Sequence, residues 1–273
     1  MGAGMTLAEL NDRGLVLVGC GNMGGALLDG WLQGGLAPQS IGVIDPNPRQ
    51  GLEQRGVRVN VDLPTAPAVL VLAVKPQLMA DVLPRLQGFD HGDTLILTVA
   101  AGVRVSAYEQ AFPKAPVVRA MPNTSSAIGQ GISAIVGNDH AGVQHMELAE
   151  RLMCAVGEVV RLQSECQMDA VTAVSGSGPA YVFYMIEALA AAAESEGLPC
   201  NMALQLARAT VAGAGALAMA REDHPSELRS QVTSPAGTTE AGLRELMDAE
   251  QGLEPLLRRT VAAAVERSQE LGK

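Results

Sequence analysis

Three glycines, Gly19, Gly21 and Gly24, form the spacing in this chain best suited to chemistry, because backbone without side chains can close around a phosphate. They stand in LVLVGCGNMGG, between an apolar run that reads as a strand, Leu15 to Val18, and a helix carrying Ala26, Leu27, Leu28, Trp31 and Leu32. In that context Gly19 makes the tight turn, Gly21 admits a pyrophosphate beside Asn22 and Met23, and Gly24 lets helix and strand approach. A second strand, Ile41 to Ile44, ends in Asp45, 21 residues beyond Gly24, where a carboxylate meets ribose hydroxyls. Asp45 is equally suited to cap the turn in DPNP. Together the two strands predict a dinucleotide site.

Further strand ends should line the same crevice. Ala68 to Val74 is a continuous apolar run, as in a parallel strand covered on both faces, and it closes in Lys75-Pro76-Gln77. Lys75 either meets a ligand at the carboxyl edge or ends the strand in solvent. Thr94 to Val99 closes in Ala100-Ala101-Gly102, small residues that leave room for a flat ring or simply form a loop. Val117 to Ala120 enters Met121-Pro122-Asn123. Between and beyond these, the pattern predicts helices over 48–55 and near 78–86, a short strand over 57–59, and strands over 132–136 and 158–162.

Near Ser164 the texture changes to alanine-rich helix, dividing the chain into an expected 1–163 dinucleotide-binding domain and a 164–273 helical domain. Ser175-Gly176-Ser177-Gly178-Pro179-Ala180-Tyr181 starts a helix that is apolar nearly all round to Ala193, which predicts burial on most sides. The next helix, Met202 to Met219, carries small residues from Ala209 to Ala216 that permit close helix approach. The last repeats apolar residues from Leu253 to Val265 at i, i+3 and i+4. About 110 residues of such helix do not cover themselves, so an extensive subunit interface is expected. Between these helices Val232 to Glu240 is either a capped loop or a cradle of hydroxyls and N–H groups for a small carboxylate.

Composition narrows the partners. With 29 acidic and 19 basic side chains the net charge is −10, which disfavours nucleic acid. Cys20, Cys154, Cys166 and Cys200 stand singly, as in a cytoplasmic protein with reduced thiols. His91, His140, His145 and His224 match no metal-ligand spacing, so no metal is expected. The opening MGAGMT lacks the regions of a signal peptide; Met1-Gly2 with Thr6 fits a short myristoylation pattern or is a plain leader. The apolar stretch Ala209 to Ala220 reads as too short to span a bilayer, so no membrane partner is expected.

The helical half has one histidine, His224, one lysine, Lys273, and Tyr181 and Tyr184 as its only tyrosines. Such scarcity of proton donors suits reduction of a protonated imine, which accepts hydride without a strong general acid. Holding two reactants in a near-attack geometry can supply about 7 to 11 kcal/mol.

GCGNMGGAL, AVKPQ, VAAGV, RAMPNT, SGSGPAYVFY and VTSPAGTTEAGL resemble, in order and spacing from Leu15 to the end, the signature segments of the pyrroline-5-carboxylate reductase family. The resemblance implies a Rossmann-like doubly wound α/β domain followed by an all-α dimerisation domain. It implies reduction of 1-pyrroline-5-carboxylate to L-proline by NADH or NADPH, the last step of proline biosynthesis. Gly21, Asn22, Met23 and Gly24 would hold the pyrophosphate, while Ala73, Val74, Lys75, Pro76, Ala100, Ala101, Gly102, Pro122 and Asn123 would lie along the riboses and nicotinamide. Ser234, Gly237, Thr238 and Thr239 would hold the substrate carboxylate, with the Thr239 hydroxyl, the catalytic candidate, at the ring nitrogen. An interlocked homodimer, and larger rings of dimers, are implied as well.

Two departures bear on this. NADPH-using members often have Asn-Arg after the second strand, where this chain has Asp45-Pro46 with a basic group at Arg49; a carboxylate repels a 2′-phosphate, so NADH is expected. Ala236 replaces a usual glycine, which a methyl group tolerates unless the residue needs positive φ. One rival is a β-hydroxyacid dehydrogenase, disfavoured because no lysine occurs between Lys114 and Lys273. The other is a catalytically silent nucleotide sensor, against which the intact 175–181 and 234–239 segments argue.

Overall fold

The computed structural model describes residues 7–61, 63–89 and 92–272; of the residues singled out above, Met1, Gly2, Thr6, His91 and Lys273 lie outside them. Eight strands, β1 (Leu15–Val18), β2 (Ile41–Ile44), β3 (Arg58–Val59), β4 (Val69–Leu72), β5 (Leu95–Thr98), β6 (Val117–Met121), β7 (Gly131–Gly137) and β8 (Gly157–Arg161), form one sheet. Its order is β3-β2-β1-β4-β5-β6-β7-β8. The strands from β3 to β6 run parallel, β7 is antiparallel to β6, and β8 is parallel to β7. Because β1 lies between β2 and β4, the order reverses there, which places a ligand crevice outside its carboxyl end.

The helices that follow or cover these strands are α1 (Leu7–Arg13), α2 (Asn22–Gln33), α3 (Met79–Val82), α4 (Val105–Ala111), α5 (Val143–Cys154) and α6 (Met168–Val171). Side chains alternate across each strand. Leu15, Leu17, Val69, Val71, Leu95 and Leu97 pack on one face with Leu27, Leu28 and Trp31 of α2. Val16, Val18, Leu70, Leu72 and Ile96 pack on the other with Tyr108 of α4 and Phe112. The Trp31 indole N–H donates to the Leu152 carbonyl at 2.9 Å, tying α2 to α5.

After β8 only helices follow: α7 (Gly178–Ser195), α8 (Cys200–Ala220), α9 (Pro225–Gln231), α10 (Thr238–Leu246) and α11 (Leu253–Leu271). By compactness the chain forms two units, one reaching Gly176 and resuming at Val265, the other Ser177–Ala264.

Four local expectations need correction. The helix over 48–55 is instead a turn and one short 3₁₀ segment, Glu53–Arg55, because Gly51 at φ +82° and Gly56 at φ +87° break the helical path. The helix near 78–86 is interrupted at Pro84 and continues as 3₁₀ over Leu83–Phe89. Helix α7 is not buried on most sides within the chain: Phe183 is 59% and Tyr184 71% exposed, and of its residues Ala190 alone is buried. The apolar run 209–220 is part of the 21-residue α8, which by length and composition is long enough to cross a bilayer.

Candidate active site

The three glycines of the turn differ in their surroundings. Gly19 has φ +91°, and a Cβ there would lie 2.8 Å from the Ala73 carbonyl oxygen, so strand β4 approaches too closely for any side chain. A Cβ on Gly24 would come within 2.1 Å of the Gly19 carbonyl, which seats α2 directly on the turn. Gly21 faces open space. Helix α2 begins at Asn22, earlier than the motif alone implies, so Gly24 lies in its first turn. No side chain caps this terminus, leaving first-turn N–H groups aimed outward for an anion.

Outside that turn lies a groove of about 800 Å³ bordered by Gly21, Asn22, Met23, Arg49, Thr124 and Ala127. The cradle beside Gly21, with free helix N–H groups and no acidic side chain at the helix start, fits a dinucleotide pyrophosphate. The Asp45 carboxylate caps the turn: Oδ2 accepts the Cys20 N–H at 2.6 Å and Oδ1 accepts the Asn47 N–H at 2.7 Å. A carboxylate has about four lone-pair positions, so acceptor capacity remains for a ribose. Asn60, itself at φ +57°, fixes the backbone here: its side chain accepts from the Asp45 N–H and donates to the Asp45 carbonyl.

Parallel neighbours β4, β5 and β6 bring Lys75, Gly102 and Asn123 to adjacent carboxyl ends of one sheet edge. Ala73, Val74 and Pro76 are half-buried beside exposed Lys75; Ala100 is buried and Ala101 exposed. Asn123 is spent partly on structure, its Oδ1 accepting the Ile132 N–H at 3.2 Å. Below this edge, Arg119 is 3% exposed and donates to Glu165 at 2.7 Å, while Glu165 also accepts the Val105 N–H. The Tyr108 phenol donates no charge to the site: burial pushes its pKa up to about 12, and it accepts a hydrogen bond from Thr98.

The second candidate segment lies in the helical unit. Ser234, Thr238 and Thr239 are exposed, and Gly237 is the N-terminal cap residue of α10 with no side-chain cap. The Gly237 N–H donates to the Ser234 carbonyl at 3.0 Å, and Glu240 accepts the Ala236 N–H. Ala236 has φ +56°, so the residue that replaces the usual glycine does occupy the left-handed region, and its methyl group is strained rather than neutral.

Sequence reasoning passed over Asp29, which lies on α2 four residues after Gly25 and pairs with Arg49 and Arg55. Its partners lie 20 and 26 residues away, so no helical spacing marks them in the sequence. Burial pushes its carboxyl up, but hydrogen bonds from Arg55 and Arg49 outweigh that and hold it below the usual range. No group of three or more potential metal ligands occurs among the described residues.

Comparison with known proteins decides the family. Residues 165–271 match the pyrroline-5-carboxylate reductase dimerisation family, and residues 15–102 match the coenzyme F420-dependent NADP oxidoreductase family. The pyrroline-5-carboxylate reductase of Methanosarcina acetivorans is 38% identical over 97% of this chain and 100% of its own length. This chain belongs to the pyrroline-5-carboxylate reductase family. A solved pyrroline-5-carboxylate reductase from Coxiella burnetii, 35% identical, superposes with a TM-score of 0.89 over 96% of this chain and 99% of its own. A pyrroline carboxylate reductase from Plasmodium falciparum, solved with NADP bound, shares the fold at 24% identity with a TM-score of 0.83, over 97% of this chain and 100% of its own.

Proposed function

We propose that this chain reduces 1-pyrroline-5-carboxylate to L-proline with a nicotinamide dinucleotide. The observation that carries the reading is similarity along nearly the whole chain to reductases of that name, with both the glycine turn and the 234–239 loop intact. The bound dinucleotide supplies a hydride to the ring carbon of the C=N bond. The chain's own residues bind and orient. Gly21, Asn22, Met23 and Gly24 receive the pyrophosphate, Asp45 the ribose, and the edge at Ala73-Val74-Lys75-Pro76, Ala100-Ala101-Gly102 and Asn123 the nicotinamide half. Ser234, Gly237 and Thr238 hold the substrate carboxylate with hydroxyl and N–H donors, and Thr239 meets the ring nitrogen.

The Asp45 carboxylate supports a preference for NADH over NADPH. Residues 1–163 would serve dinucleotide binding and 164–273 substrate binding and dimerisation. The match to a dimerisation family and the exposed apolar side chains of α7 and α8 support a homodimer, interlocked and able to build rings of dimers. Single, unpaired cysteines support a cytoplasmic setting.

The test is steady-state oxidation of NADH and of NADPH with 1-pyrroline-5-carboxylate, identifying the product. L-proline formed in step with coenzyme oxidation is expected, with the higher kcat/KM for NADH. Folded protein that binds the nucleotide without turnover contradicts the reading and favours the sensor.

A further inference from the structure

Asp29 borders the same groove as Gly21 and Asn22 without belonging to the glycine motif, and two guanidinium groups converge on it. Arg49 Nη1 lies 2.9 Å from its Oδ2 and Arg55 Nη1 2.7 Å from its Oδ1. Arg49 comes from the turn after β2 and borders the groove, on the side where a doubly wound site meets the adenosine ribose. Its guanidinium rests on the first turn of α2, where a Cβ on Gly25 would lie 2.5 Å from Nη1. Gly25 therefore clears the seat, and Asp29, one turn further along the helix, holds the arginine in it.

An arginine beside that ribose is the ordinary partner of a 2′-phosphate. In this chain its charge is already compensated and part of its donor fork is turned to a carboxylate. We infer that Asp29 is a positioning residue for coenzyme choice, withholding Arg49 from a 2′-phosphate and so favouring the coenzyme that lacks one. The inference rests on the dinucleotide reading of the groove. It is independent of Asp45, which acts on the ribose directly. Replacing Asp29 by its uncharged isostere leaves both guanidinium groups in place and removes the carboxylate that occupies them. A 2′-phosphate then gains a charge-assisted partner, while the pyrophosphate common to both coenzymes is affected equally.

The experiment measures Kd for NADH and for NADPH by calorimetric titration of the intact protein, without substrate, for wild type, Asp29→Asn, Arg49→Gln and the double variant. Asp29→Asn should tighten NADPH relative to NADH about tenfold, an effect that shrinks as salt rises. The double variant should show no such shift, because the effect passes through Arg49. An unchanged ratio in Asp29→Asn, or a shift that survives in the double variant, overturns the inference. A wild-type protein that binds neither coenzyme overturns the reading of the groove itself, an outcome distinct from failure of the Asp29 assignment.

Discussion

In the sheet unit every residue of β1, β4 and β5 is buried, whereas in the helical unit the 18-residue α7 buries only Ala190 and the 21-residue α8 only Ala203 and Ala207. The two regions are similarly apolar in sequence, so composition does not separate them. What separates them is geometry. A parallel sheet receives its covering helices from the same chain at each crossover, and both faces close. Helices α7 and α8 pack on each other but leave much of their apolar surface open, and Phe183, Tyr184 and Met219 stand more than half exposed. An apolar surface of that extent marks an interface. The first region closes its sheet core within one chain, and the second, which matches a dimerisation family, leaves apolar helix faces open.

The largest effect that would break this contrast is on assembly. Phe183→Asp places a charge in the exposed apolar face of α7 and should convert the proposed dimer to monomer, read as a halving of mass by light scattering. The sheet unit should keep its fold by circular dichroism. An unchanged mass would mean that this face is not the interface. In the sheet unit, by contrast, Leu70→Ala empties a fully buried position of β4 and should cost about 2 to 5 kcal/mol in denaturant unfolding, with mass unchanged. The same truncation at Leu204, 42% exposed on α8, should cost far less stability in a monomeric background and mainly weaken association.

The smallest change sharpens the comparison inside the helical unit. Ala236 is one of two non-glycine residues at positive φ among the described residues, and it sits in the segment proposed to hold the substrate. Ala236→Gly should raise thermal stability by about 1 kcal/mol, through relief of the left-handed conformation offset in part by unfolded-state entropy. A loss of stability would show that the methyl group makes a contact worth more than the strain.

These contrasts also explain what could be read from the chain alone. Strands β1 and β2 are legible to the residue, because a continuous apolar run bounded by glycine or aspartate has one reading in a βαβ context. The 48–55 helix is not, since Gly51 and Gly56 impose positive φ that a periodicity argument does not weigh. The single-chain exposure of α7 inverts the expected burial for a related reason: apolar pattern reports that a face is covered, not which chain covers it. In the candidate site, the glycine turn and the strand ends are visible because their partners are close in sequence or fixed by sheet order. The Asp29 pairs with Arg49 and Arg55 span a strand and a turn, and the left-handed φ of Ala236 depends on how Ser234 and Glu240 close the loop. Neither leaves a mark in local pattern.

In the proposed division of labour the sheet unit holds the dinucleotide and the 234–239 loop the imine. Thr239→Ala tests it most directly, by coenzyme titration and steady-state kinetics on one preparation. The account predicts kcat lower by about a hundredfold, at the lower end of what a positioned proton-bearing group contributes, with the Kd for NADH unchanged. Equal loss of coenzyme affinity, or turnover at the wild-type rate, would contradict it.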